Sequence, residues 1–254
     1  MRKTIIYIIP LHKKDDKVFR ALSTVTESKV VIATTLEIAK WVNIQPEIGE
    51  MKPDFVFSEN TSYAALVNAG IDFASEFSPD YISFLEFDDQ LTPRAENIIN
   101  EYADDFIDAD ILAPIAFMVK GNKDENMDKP MLVGLSNEAC FAPQVFEEFG
   151  YYDYNTLLKT NFVFVNGCYF KPKVFKDFGK FKTNFEIFCD YEFILRMIYN
   201  GAIIRGIPKA CRYHFVENDS MFEIQKNQSE EKKQKWLLNA KKEYFFAEER
   251  QLED

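Results

Sequence analysis

Short apolar runs, each closed by a turn residue and followed by a stretch of helical spacing, recur along the first half of this chain. Thr4 to Ile9 is β-branched and ends at Pro10, which stops further pairing in a central strand. Val18, Leu22 and Val25 then recur at helical spacing, Ser28 to Thr34 reads as a second strand, and Leu36 to Val42 as a second helix. Asp54 to Phe57 supplies a third strand. Glu59 to Ala74 is helical in pattern, with Asn60 or Ser62 as its cap. Asn68 and Gly70 are unfavourable inside a helix, so the pattern calls for close packing there or a contact made by the Asn68 amide. Tyr81 to Leu85 is apolar without alternation, the mark of a strand covered on both faces. Arg94 to Tyr102 predicts a helix and Asp110 to Val119 a strand.

The second half is less regular. Residues 120 to 160, with Gly121, Asn122, Pro130, Gly134 and Pro143, read as a variable region above the sheet that faces substrate. Phe162 to Phe170 has strand composition interrupted by Asn166 and Gly167, and Val174 to Phe181 holds a short helix stopped by Gly179. Asp190 to Asn200 is the clearest helix, with acids in its first turn and Gly201 after its last residue. Ala202 to Ile207 predicts the last strand. Beyond His214, Gln225 to Arg250 forms a charged tail whose Trp236, Ala240 and Tyr244 stand at i, i+4 spacing, a docking helix.

Strands alternating with helices imply an α/β fold, a mostly parallel sheet flanked by helices. At 254 residues and 47% hydrophobic content the chain can bury the core of one large domain. A net charge of −11 argues against a nucleic-acid backbone as partner, since that surface demands a basic patch. Cys140, Cys168, Cys189 and Cys211 are widely spaced, which suits reduced thiols rather than a metal site. No stretch approaches the roughly 18 apolar residues of a membrane span. The first apolar run is too brief for a secretion signal and is stopped by Pro10, so the expected location is cytoplasmic.

The chemistry gathers where the run ending at Leu85 empties into Glu86, Asp88 and Asp89. In open α/β sheets ligands bind at the carboxyl ends of strands. Like charges held together there ask for a cation, and Mg²⁺ or Mn²⁺ is commonly bound by one or two carboxylates plus substrate phosphates. A nucleoside diphosphate is the ligand this suggests, while a solvated acidic turn is the other reading. Two further residues carry two readings each. Asp190 is either a first-turn acid that the helix dipole favours or a general base. His214, between Tyr213 and Phe215, is either a packed ring or an imidazole ligand.

The order of these features resembles the family 2 glycosyltransferases of GT-A fold across about residues 4 to 220. The family's opening I-I-P is similar to Ile8, Ile9 and Pro10, and its N-x-G-x-x-x-A-R-N-x-G segment to Asn60 through Gly70, with both asparagines and the last glycine in register. Its L-D-x-D-D resembles Leu85 to Asp89, and its late E-D-x-x-x-x-x-R followed by glycine resembles the stretch from Cys189 through Arg196 to Gly201. The resemblance implies a metal-dependent transferase that moves a sugar from a nucleotide-sugar donor, a UDP-sugar by expectation, to an acceptor hydroxyl on a glycan or other molecule. Single displacement with inversion is the implied mechanism.

By the same resemblance Asp190 is the catalytic base. Pro10, His12, Thr34, Asn60, Asn68, Glu86, Asp88 and Asp89 are donor-binding, Asn166 and Gly167 lie on the acceptor side, and Asp88 and His214 hold Mn²⁺ or Mg²⁺. An ordinary turn explains Asn166 and Gly167 equally well. Residues 1 to 118 would form the nucleotide-binding half, 119 to 220 the acceptor half, and 221 to 254 a helical tail. The chain departs from the family at three places: Thr34 and Thr35 stand where an aspartate reads uracil, Val67 where arginine is frequent, and Glu86 where aspartate is usual. The base is therefore open, and a catalytically silent relative that binds a nucleotide or glycan is the alternative.

Overall fold

The computed structural model describes residues 2–49, 51–120, 131–136, 163–185, 187–216 and 227–251. Strands β1 (Ile5–Pro10), β2 (Lys29–Thr34), β3 (Asp54–Phe57) and β4 (Tyr81–Phe84) lie parallel in the spatial order β3-β2-β1-β4. Helices α1 (Lys17–Ser23), α2 (Leu36–Asn43) and α3 (Tyr63–Ser75) make the crossovers between them. β1 is buried along its whole length and divides its side chains between two cores. Ile6 and Ile8 pack under α3, while Ile5, Tyr7 and Ile9 pack against α1 and α2. Burial on both faces is why these strands read as unbroken apolar runs.

β5 (Gln90–Leu91) and α4 (Ala95–Asp105) follow the acids, and β6 (Ile111–Lys120) continues the sheet. β7 (Met131–Ser136) pairs antiparallel with β6, and β8 (Tyr169–Phe170) is wedged antiparallel between β4 and β6. After α5 (Lys173–Phe178) and α6 (Cys189–Tyr199), β9 (Ile204–Phe215) runs parallel to β6 and receives β5 on its other edge. The result is a mixed sheet, mostly parallel, flanked by helices in a single domain. α7 (Glu230–Gln251) rests on α6, with Ala240 buried and Trp236 against Phe185.

Several boundaries move from their expected places, each for a local reason. α3 begins at Tyr63 because Asn60 and Ser62 build its entry: Asn60 Oδ1 accepts from the Ser62 amide at 2.9 Å, and Ser62 caps the Ala65 amide. The last strand does not end at Ile207. β9 passes Pro208 because the register with β6 jumps from Pro114↔Ile207 to Ile115↔Ala210, a bulge that spares the ladder a missing donor. His214 thus sits on the strand instead of after it. Met131 to Ser136, expected in an irregular region, is a strand. Residues 121–130 and 137–160 of that region lie outside the described residues. Of the strand expected from Phe162, the described residues from Val163 pair only at Tyr169–Phe170, since Cys168 turns back onto the Val165 carbonyl at 3.0 Å.

Both expectations at the Asn68 and Gly70 positions hold. A side chain at Gly70 would collide with Ile8 Cγ2, so α3 lies directly on β1. The Asn68 amide clasps Phe181, donating to its carbonyl at 2.8 Å and accepting from its amide at 3.0 Å. Gly179 and Gly201, at φ 83° and 86°, occur after α5 and α6 where positive φ favours glycine.

Candidate active site

β4 ends at Phe84, the Leu85 amide bonds the Ile8 carbonyl at 3.0 Å, and the chain turns with the Asp89 amide on the Glu86 carbonyl at 3.0 Å. This turn delivers the acids beside the carboxyl end of β1. Asp89 points inward, fully buried, ion-paired with Arg212 and hydrogen-bonded by His214 and the Phe215 amide. Arg212 Nη1 lies 3.1 Å from its Oδ2, His214 Nδ1 lies 3.1 Å from its Oδ1, and the Phe215 amide donates to Oδ1 at 3.2 Å. Arg212 and His214, two apart on β9, share one face of that strand. Among the described residues, donor atoms of Glu86, Asp89 and His214 lie within 4.8 Å of one another. Asp88 is half-buried in the same turn, outside that group, and its charge acts on Glu86.

Burial first, then the charges of Asp89 and Asp88, raises the Glu86 pKa to about 8. For His214 burial pulls the pKa down, but Asp89 beside it outweighs that and leaves it raised. Its Nε2 is buried with no hydrogen-bond partner among the described residues. With Nδ1 donating to Asp89, Nε2 keeps its lone pair, the orientation an acid imposes on a metal-binding imidazole. Carboxylate oxygen and imidazole nitrogen form a donor set that suits Mn²⁺, so these residues fit a divalent cation.

A cavity of about 320 Å³ is lined in part by Pro10, His12, Tyr63, Asn184, Phe185 and Cys189. His12 is exposed, with its ring edge-on to Phe87 at 5.5 Å. Asp190 opens α6 directly after Cys189. Its Oδ1 is buried without a hydrogen-bond partner among the described residues, and burial raises its pKa above the usual carboxylate range. Burial, then the charges of Glu86, Cys189 and Asp190, push the Tyr63 phenol well above its ordinary pKa.

Other expected donor residues serve the scaffold. Thr34 is fully buried and donates to the Leu11 carbonyl at 2.6 Å, turning its hydroxyl into the β1–β2 connection and away from any base. Thr35 caps the Ile38 amide of α2. Asn60 shapes the entry of α3 through its Oδ1, and both amide atoms of Asn68 are engaged by Phe181. Asn166 donates to Glu86 Oε1 and accepts from the Tyr63 hydroxyl at 2.6 Å. It therefore belongs to the carboxylate side of the site. Gly167, at φ 84°, lies against the Arg212 guanidinium, where a Cβ would approach Nε to 3.0 Å.

Sequence reasoning missed Arg212 and Tyr63. Arginine two residues before His214 was a readable signal, because strand alternation puts both on one face. Tyr63 gave none.

No protein-family profile and no curated protein matches this sequence. Solved structures do. TarS residues 1–349 of S. aureus in complex with UDP-GlcNAc superposes with a TM-score of 0.62 at 14% identity, over 95% of this chain and 73% of that one. The longer TarS structure gives 0.58 at 13% identity, and this chain spans 42% of its length. The mannosyltransferase PcManGT of Pyrobaculum calidifontis, in complex with GDP-Man and Mn²⁺, gives 0.56 at 14% identity, over 89% of this chain and 60% of that one. At these identities the likeness speaks to architecture, and this chain has the α/β fold of these glycosyltransferases.

Proposed function

We propose that this protein is a metal-dependent glycosyltransferase that moves a sugar from a nucleotide-sugar donor to an acceptor hydroxyl with inversion. The observation that carries the reading is the convergence of Glu86, Asp89 and His214 at the strand edge. TarS with UDP-GlcNAc and PcManGT with GDP-Man and Mn²⁺ support it by analogy of fold. Glu86 and His214, with Asp88 from the same turn, would hold Mn²⁺ or Mg²⁺, and Asp89 would orient His214. When bound, the cation offsets negative charge on the departing diphosphate.

The remaining chemistry belongs to the chain. Pro10 and His12 border the donor, and Asp190 takes the proton from the acceptor hydroxyl. That oxygen attacks the anomeric carbon from the side opposite the diphosphate, and the bond from carbon to the diphosphate oxygen breaks. A raised Asp190 pKa suits this role, since a base is most effective when its pKa nears the working pH. The donor base stays open, because the Thr34 and Thr35 hydroxyls are both engaged by backbone groups. Residues 1 to 118 would bind the nucleotide and 119 to 220 the acceptor, with the helical tail from 221 bracing the cavity through Trp236 and Phe185.

One observation favours the second reading, a binding module without turnover: Arg212 and His214 already offset the Asp89 charge, so the acids can be held together without a cation. The test is donor turnover with UDP- and GDP-sugars plus Mn²⁺ in wild type and Asp190→Asn. The transferase reading expects sugar release in wild type and its loss, by about a hundredfold or more, in the variant with binding retained. Donor binding without turnover in wild type would hand the case to the module.

A further inference from the structure

We infer that Tyr63, acting through Asn166, is a positioning residue that sets the Glu86 carboxylate for its cation. The inference rests on the reading of Glu86 as part of a cation site and adds a residue to it.

The three side chains come from separate elements: the first turn of α3, the loop before β8 and the turn after β4. The Tyr63 hydroxyl donates to Asn166 Oδ1 at 2.6 Å, and Asn166 Nδ2 donates to Glu86 Oε1. Each bond fixes the direction of the next. A phenol that donates to Oδ1 prevents the amide from flipping, so Nδ2 must face the carboxylate. The amide is also anchored from behind. The Gly167 amide donates to the Phe84 carbonyl at 2.9 Å, and the Arg212 guanidinium fills the space beside Gly167. Oε1 is thereby committed, and among the described residues Oε2 is left for a ligand.

A donated hydrogen bond also favours the ionised carboxylate, opposing the burial that would keep it protonated. Tyr63 lines the cavity wall while Asn166 reaches the acids, so the relay spans the site from one side to the other. Side chains that orient a ligand in this way commonly alter metal affinity by about 10- to 100-fold when removed.

The experiment measures Mn²⁺ binding by the electron paramagnetic resonance of the free ion, with no turnover required, for wild type, Tyr63→Phe, Asn166→Ala and the double variant. Near-ultraviolet circular dichroism checks that each keeps its packing. Tyr63→Phe is expected to weaken Mn²⁺ about tenfold, and the double variant is expected to bind no more weakly than Asn166→Ala alone, because the phenol acts only through the amide. Tyr63→Phe within about twofold of wild type, or a double variant showing the product of two independent losses, overturns the relay while leaving the cation reading in place. Wild type that does not bind Mn²⁺ overturns the cation reading and the relay with it.

Discussion

Replacing Arg196 by Met should destabilise the protein more than any loss of a surface charge, because this one side chain holds the loop that walls the cavity. Its Nε donates to Glu192 Oε1 at 2.9 Å and its Nη2 to Oε2 at 3.2 Å, while Nη1 and Nη2 reach the carbonyls of Phe178 and Lys180. The Glu192 side chain is 1% exposed, and Lys182, 3.0 Å away and itself 31% exposed, would remain beside its charge. Removing one partner of a buried pair costs about 3–5 kcal/mol. With Lys182 still present the lower end applies, about 3 kcal/mol, or a fall in Tm of about 6–12 °C for a chain of this size.

The pH dependence gives the sharper test. Burial pushes the Glu192 pKa up, but Arg196 and Lys182 outweigh it and hold the folded value below the ordinary 4.5. A depressed folded pKa contributes stability that is present above the unfolded value and is lost as pH falls through the folded one. The penalty of Arg196→Met should therefore be full at pH 7 and shrink below about pH 4.5, where a protonated Glu192 no longer needs its partner. Urea melts of both proteins from pH 4 to 8 measure it. A penalty below about 1 kcal/mol at pH 7, or one that is the same at every pH, would refute the reasoning.

Two further outcomes follow from the site and the core. Cation affinity should rise with pH through about 8 and level only above it, since Glu86 and His214 both hold their protons more tightly than usual in the metal-free protein and must release them to bind; Mn²⁺ titrations across that range check it, and a flat profile contradicts it. Gly70→Ala should cost about 1–3 kcal/mol by forcing α3 off Ile8, read from a thermal melt, and an unchanged Tm would show that the helix can shift freely.

The linear pattern alone fixed the α/β layering, because strands buried on both faces must be apolar throughout and the helices between them must keep one apolar stripe. It also located the acids at the tip of β4 and the odd residues of α3, where a glycine and an asparagine inside a helix signalled close approach. What it could not assign was the direction in which polar side chains face. Thr34, Asn60 and Asn68 carry atoms able to bind a donor, yet each satisfies backbone groups of its own fold, a choice made by packing more than by residue type. The Arg212–Asp89–His214 cluster and the Tyr63–Asn166–Glu86 relay join positions some 80 to 126 residues apart. Only the folded sheet, with β9 bulged past Pro208 and β8 wedged beside β4, brings them within hydrogen-bond reach, since such bonds depend on distances that the order of residues does not encode.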